Sequence, residues 1–185
     1  MYGLSQIASL IVPLLLPGLA LIIVLKFKLF KSLDIPIDFG ITLNSKRIFG
    51  RNKRLKGIIV MTVVAIFVSY ILGIVYWNGY SAYIDPIFSS NPLFIGFIYS
   101  LSYTLGELVN SFAKRQMNIA PGAIVSSKFA NLQTFFDLSD GIIVAIVALI
   151  TFTSASVPHV LIAGFVGILL HYCTDILMKK LSLKH

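Results

Sequence analysis

Three acidic features of this 185-residue chain stand where a charge is either costly or chemically useful. Glu107 lies in an apolar stretch, and Asn110, Ser111 and Lys114 follow it at spacings of three, four and seven. On a helix these residues form one polar stripe. An unpaired carboxylate in hydrocarbon costs about 2.5 kcal/mol or more, so such an acid marks a functional site or finds a partner. Pairing with Lys114 or snorkelling to interfacial water is the competing reading. Asp137 and Asp140 stand three apart in Phe136-Asp137-Leu138-Ser139-Asp140-Gly141, on one helical face. Two close carboxylates repel unless a divalent cation lies between them, and hard oxygen donors suit Mg2+. The alternative is capping, because acids at a helix N-terminus are stabilised by the dipole and the free amides. His171 and Asp175, four apart, share a face and fit a simple intrahelical pair as well as metal binding or proton transfer.

A fourth feature is cationic. Ser45 to Gly57 reads Ser-Lys-Arg-Ile-Phe-Gly-Arg-Asn-Lys-Arg-Leu-Lys-Gly, with six cations and two glycines just before an apolar run. Backbone amides at a helix start and converging cations are what a polyphosphate needs, although no P-loop or Rossmann pattern is present. A polybasic patch against anionic lipid is the competing reading.

The elements that must position these groups are membrane spans. Hydrophobic residues make up 57% of the chain and charged residues only 12%, against about 25% charged in soluble domains. Apolar runs predict five spans, over about 4–25, 57–77, 92–112, 138–156 and 158–178. They fill one all-α, membrane-embedded domain over 1–185, with two polar loops, Lys26 to Lys56 and Lys114 to Asp137. The first run has neither a basic leader nor a small-residue cleavage site and is read as a span, kinked or broken at Pro13 and Pro17. Trp77, Tyr80 and Tyr83 suit an interfacial aromatic belt. Cys173, the single cysteine, is read as a small buried apolar residue.

Alternating the spans across the bilayer places nine, three and three basic residues, the full complement of 15, on one face. The positive-inside rule then predicts a multi-pass cell-membrane protein with its N-terminus outside and its C-terminus in the cytoplasm. Six of the seven acids share that cytoplasmic face, Asp85 being the exception. A net charge of +8 gathered there suits lipid headgroups or a nucleotide, and no nucleic-acid partner is expected.

Four blocks of the sequence resemble the archaeal-type CDP-archaeol synthases, relatives of the bacterial phosphatidate cytidylyltransferases. Pro36-Ile37-Asp38-Phe39-Gly40 followed by Gly50-Arg51-Asn52-Lys53-Arg54-Leu55-Lys56-Gly57 resembles P-x-D-x-G and G-x-N-K-T-x-R-G. Gly106-Glu107-Leu108 with Ser111, Lys114, Arg115 and Pro121-Gly122 is similar to G-D-L-x-x-S-x-x-K-R and its downstream K-P-G. Asp137-Leu138-Ser139-Asp140 resembles D-Q-x-D, and His171 with Asp175 resembles H-x-x-x-N. Glu107 stands for an Asp, Arg54 for a Thr, Lys56 for an Arg, and Leu138-Ser139 for Gln-x.

The resemblance implies a membrane enzyme that transfers a cytidylyl group from CTP to a phospholipid phosphate, phosphatidic acid or archaetidic-acid-like, with release of pyrophosphate and a requirement for Mg2+. It implies that Glu107, Asp137 and Asp140 hold the metal, and that Lys53, Lys114 and Asp140 are catalytic. Asp38, Asn52, Lys53, Lys56, Ser111, Lys114, Arg115 and His171 would contact substrate. Two other classes stay in play: a non-catalytic lipid- or nucleotide-binding protein of the same fold, motivated by the four departures, and a small transporter with Glu107, His171 and Asp175 along its path. No duplicated halves are evident to support the last. The sequence leaves a monomer or a homodimer open.

Overall fold

A computed structural model describes residues 2–123 and 129–183. Lys128 and Lys184, two of the predicted cytoplasmic cations, lie outside the described residues. Five long helices dominate: α1 (Tyr2–Lys26), α2 (Leu55–Val75), α3 (Pro92–Gln116), α4 (Ala130–Phe152) and α5 (Val157–Lys180). Each is long and apolar enough to cross a membrane. α1 runs continuously through Pro13 and Pro17, both fully buried. Near this proline-weakened turn the buried Tyr99 hydroxyl of α3 donates to the Leu10 carbonyl at 2.9 Å.

The helices pack in a ring. Each contacts its sequence neighbours, and α5 closes onto α1. Leu10 of α1, Ile95, Ile98 and Tyr99 of α3, Leu149 of α4, and Val160 and Ala163 of α5 form the core with Ile87 and Phe88 of the connection before α3. Aromatic residues follow the C-terminal end of α2, where Trp77, Tyr80 and Tyr83 are all exposed.

Two helix boundaries differ most from the sequence reading. α3 continues to Gln116, so Lys114 and Arg115 are helical, and α4 begins at Ala130. The second polar loop is correspondingly shorter than Lys114 to Asp137. Polar residues at these helix ends read as loop; at the end of α3 the long basic side chains of Lys114 and Arg115 serve well in a last turn, where they meet the free carbonyls. The connection between α1 and α2 holds a two-residue hairpin, β1 (Thr42–Leu43) against β2 (Lys46–Arg47), with Thr42 opposite Arg47. Its turn residues Asn44 and Ser45 have φ of 50° and 62°, the left-handed pair that matches strand twist in a tight hairpin.

Candidate active site

The connection between α1 and α2 is folded around one carboxylate. Asp38 is buried and accepts from the amides of Gly40 (3.0 Å), Gly50 (3.0 Å) and Phe49 (3.4 Å), and from Arg47 Nε at 3.2 Å. Arg47 closes the fork through Nη2. Burial raises the pKa of this acid, but the guanidinium and the three amides outweigh it and hold the carboxyl down at about 2. Below this knot, the Ile37 amide donates to the Lys53 carbonyl at 3.0 Å and the Leu55 amide to the Ile35 carbonyl at 2.9 Å. Lys46 adds a bond of 2.6 Å to the Gln116 carbonyl at the end of α3. These bonds fix Lys53 at the foot of α2.

Lys53 reaches across to α3, where its ammonium pairs with Glu107. One turn back, the Tyr103 hydroxyl stands 3.4 Å from His171 Nδ1 on α5. One turn forward, the Asn110 amide nitrogen donates to Asp137 Oδ1 at 2.8 Å and to Asp140 Oδ2 at 2.7 Å. Lys114 completes the row, 2.7 Å from Asp137 Oδ1. Residues 103, 107, 110 and 114 thus line one face of α3, as the helical period requires, and the cations, acids and amide of α3, α4 and the turn before α2 interlock along it.

Close approach of α3 and α4 makes this possible. A Cβ on Gly106 would lie 2.3 Å from the Asp140 carbonyl oxygen, and one on Gly141 would lie 2.7 Å from the Tyr103 ring. Only glycine lets the two backbones meet here, as small residues do at tight membrane-helix crossings.

Of the residues singled out in the sequence, Lys53, Glu107, Lys114, Asp137, Asp140 and His171 lie together along this face. Several other expectations need correction. Asp137 and Asp140 lie in the interior of α4, beyond its first turn, so N-terminal capping does not account for them. Glu107 pairs with Lys53, and Lys114 pairs with Asp137, in place of a Glu107–Lys114 pair. Asp38 is spent on loop architecture and presents no free oxygen to a substrate. Lys56 is buried, 3.0 Å from Asp34 Oδ1, and Arg54 reaches the same oxygen at 3.0 Å. The Lys56 hydrogen bond, with both cations, holds the Asp34 carboxyl below its usual range despite partial desolvation. Arg115 turns back to the Ile119 carbonyl, beside Gly50. Ser111 is buried and Asn52 exposed on the turn before Lys53. Asp175 pairs with Lys179 at 2.9 Å, and Cys173 is exposed, not buried.

Tyr103, Asn110 and Asp34 carry contacts that sequence reasoning assigned to no site. Asn110 was visible in the polar stripe, but its bridge to two acids depends on the α3–α4 crossing. Among the described residues no three of His, Cys, Asp and Glu form a ready ligand cluster. The acids that do converge, Asp137 and Asp140 on Asn110, offer the one or two carboxylates that Mg2+ commonly takes, leaving its other positions to water and phosphate.

Comparison with known proteins agrees with this architecture. A solved structure described as an intramembrane enzyme for archaeal membrane lipid biosynthesis superposes with a TM-score of 0.59 at 17% identity, covering 89% of this chain and 92% of that one, which shows a shared fold. The CDP-archaeol synthase of Pyrococcus furiosus is 33% identical over 90 residues, 47% of this chain. The match spans about half the length of that relative, 48%. A family model described as CarS-like, CDP-archaeol synthase, matches residues 8–185. With the model matching nearly its whole length, this chain belongs to the CarS-like CDP-archaeol synthase family.

Proposed function

We propose that this chain is a CTP-dependent cytidylyltransferase that condenses CTP with the phosphate of a membrane lipid, giving a CDP-lipid and pyrophosphate. The observation that carries the reading is the interlocked row of Lys53–Glu107, Asn110–Asp137/Asp140 and Lys114–Asp137 at one end of the helix ring. A lipid phosphate oxygen attacks the α-phosphorus of CTP. A P–O–P bond forms, the bond from the α-phosphorus to the β-bridging oxygen breaks, and pyrophosphate leaves. The row supplies what such a step needs, fixed cations for negative charge on the transferring and leaving groups and fixed acids to hold those cations until substrate arrives.

Lys53, at the foot of α2, exchanges Glu107 for an α-phosphate oxygen, and Lys114 exchanges Asp137 for the lipid phosphate or pyrophosphate. Asp137 and Asp140 are the residues that would hold Mg2+, with Glu107 ordering its waters; when bound, the ion neutralises phosphate charge. Exposed Asn52, beside Lys53, contacts the nucleotide. The concentration of basic residues supports a site at the cytoplasmic face, where CTP is available. Phosphatidic acid and an ether-linked archaetidic-acid-like phosphate are the two acceptor types to compare.

One observation favours a second reading: each carboxylate in the row is already matched by an internal cation or amide, which a phosphate-binding protein without turnover would also show. Purified protein incubated with CTP, Mg2+ and each acceptor should release pyrophosphate. CTP binding that is indifferent to Mg2+, with no release from any lipid phosphate where an active family member turns over, would establish the second reading and end the first.

A further inference from the structure

The segment from Phe27 to Leu43 has a surface that water alone does not explain. α1 ends at Lys26 and α2 begins at Leu55, so the chain between them leaves and re-enters the membrane at the same surface. Phe27, Leu29, Phe30, Phe39, Ile41 and Leu43 are all exposed on it, Phe39 to 72% and Phe27 to 64%. These side chains lie outside every membrane-spanning helix, so a crossing helix's contact with lipid tails does not account for them.

Backbone conformation sharpens the point. Phe30 and Phe39 have φ of 51° and 46°, a region that bulky residues rarely adopt. Phe39 is held there by the Asp38 knot: the Phe39 amide donates to the Pro36 carbonyl at 3.1 Å, and the Ile41 amide to the Asp38 carbonyl at 2.7 Å. The loop therefore fixes an exposed aromatic ring against both steric preference and hydration.

The charges on this segment are of one sign. Asp34 is taken by Arg54 and Lys56, and Asp38 by Arg47. The exposed charges that remain are Lys26, Lys28 and Lys31. Lysines interleaved with aromatic and aliphatic residues, beside the end of a membrane span, match the chemistry of an interfacial anchor in an anionic leaflet.

We infer that the Phe27–Leu43 segment is seated in the headgroup layer of the surrounding bilayer, its Phe and Ile side chains in the acyl boundary, while its Lys28 and Lys31, with Lys26 at the end of α1, gather anionic lipid around the Lys53–Glu107 row. The anchored loop would hold Lys53 at headgroup depth, the level at which a lipid phosphate lies. Nothing in this placement depends on which reaction the row performs.

The test uses the full chain in nanodiscs and needs no turnover. Trp77 is the single tryptophan, so a Trp77→Phe, Phe39→Trp protein reports from the loop alone. Its emission should be quenched by phosphatidylcholine brominated in the upper acyl chain, and more strongly by brominated phosphatidylglycerol at the same minor fraction. Acrylamide in the water should quench it weakly. Replacing Lys26, Lys28 and Lys31 by Gln should erase the anionic excess, each lysine having contributed roughly fivefold. Ile41→Trp in the same background serves if Phe39→Trp fails to fold. Strong acrylamide quenching with none from brominated lipid overturns the anchor, and equal quenching by the two brominated lipids overturns its preference for anionic lipid.

Discussion

Gly106→Ala tests whether the α3–α4 crossing sets the site. The added Cβ would lie 2.3 Å from the Asp140 carbonyl oxygen and 2.8 Å from the Gly141 Cα. Ordinary contact begins near 3.4 Å, and both obstacles are backbone, so the helices must part by roughly 1 Å. The bonds from Asn110 to Asp137 and Asp140, now 2.8 and 2.7 Å, would stretch beyond hydrogen-bond reach. Overpacking of this kind costs about 1–3 kcal/mol. A displacement of about 1 Å at a reacting centre costs on the order of 100-fold in rate. The assay is pyrophosphate release from CTP and lipid phosphate, read beside thermal unfolding in detergent. Gly96→Ala is the control, since its Cβ would meet the Ile66 Cα at 2.5 Å on the α2–α3 contact, well away from the acids. We expect both variants to lose stability and only Gly106→Ala to lose turnover to the full extent. Full turnover by Gly106→Ala, or equal loss in both, would refute the idea that this crossing positions the acids.

Asp140→Asn should abolish turnover while the protein inserts and unfolds as before; full retained turnover removes Asp140 from the proposed metal-holding pair. Lys53→Met should depress kcat and raise KM for CTP, whereas Lys56→Met should chiefly lower the melting temperature, because Lys56 is committed to Asp34; the opposite pattern would restore Lys56 as a substrate contact. The Asp38 carboxyl has a folded pKa of about 2, below the unfolded value of about 3.9. Its contribution is therefore fully present above pH ~4 and is lost as pH falls through the folded pKa, amounting to on the order of 2 kcal/mol at neutral pH. Asp38→Asn should remove that part of the acid sensitivity of unfolding, measured between pH 2 and 4 as approximate limits set by the two values; an unchanged acid profile would show that the knot is not held by charge.

The five spans were legible because lipid demands long apolar runs, and nothing else in the chain imitates them. Helix ends were less legible: Lys114 and the residues before Asp137 read as loop because a polar residue in a last turn and one in a connection look alike. Asp38 and Lys56 sit in the same motif blocks as Lys53, yet pairing separates architecture from chemistry, and pairing depends on three-dimensional neighbours. Lys53 and Glu107 are 54 residues apart, and no local pattern announces their meeting. Asn110 was seen as one rung of a stripe; its bridging role belongs to the crossing at Gly106 and Gly141.

Closure of the ring by α1 against α5 has a consequence for biosynthesis. α5 is made after α2, α3 and α4, so during translation the inner surface of α1 around Leu10 and Ser9 lacks this partner until α5 has left the ribosome. Buried Ser9, whose hydroxyl meets the Asp85 amide at 3.0 Å, gains that contact only after the α2–α3 hairpin arrives. A nascent chain halted before α5 would present this face to any other helix in the membrane, which makes arrival of α5 the step that commits the bundle to its own partners.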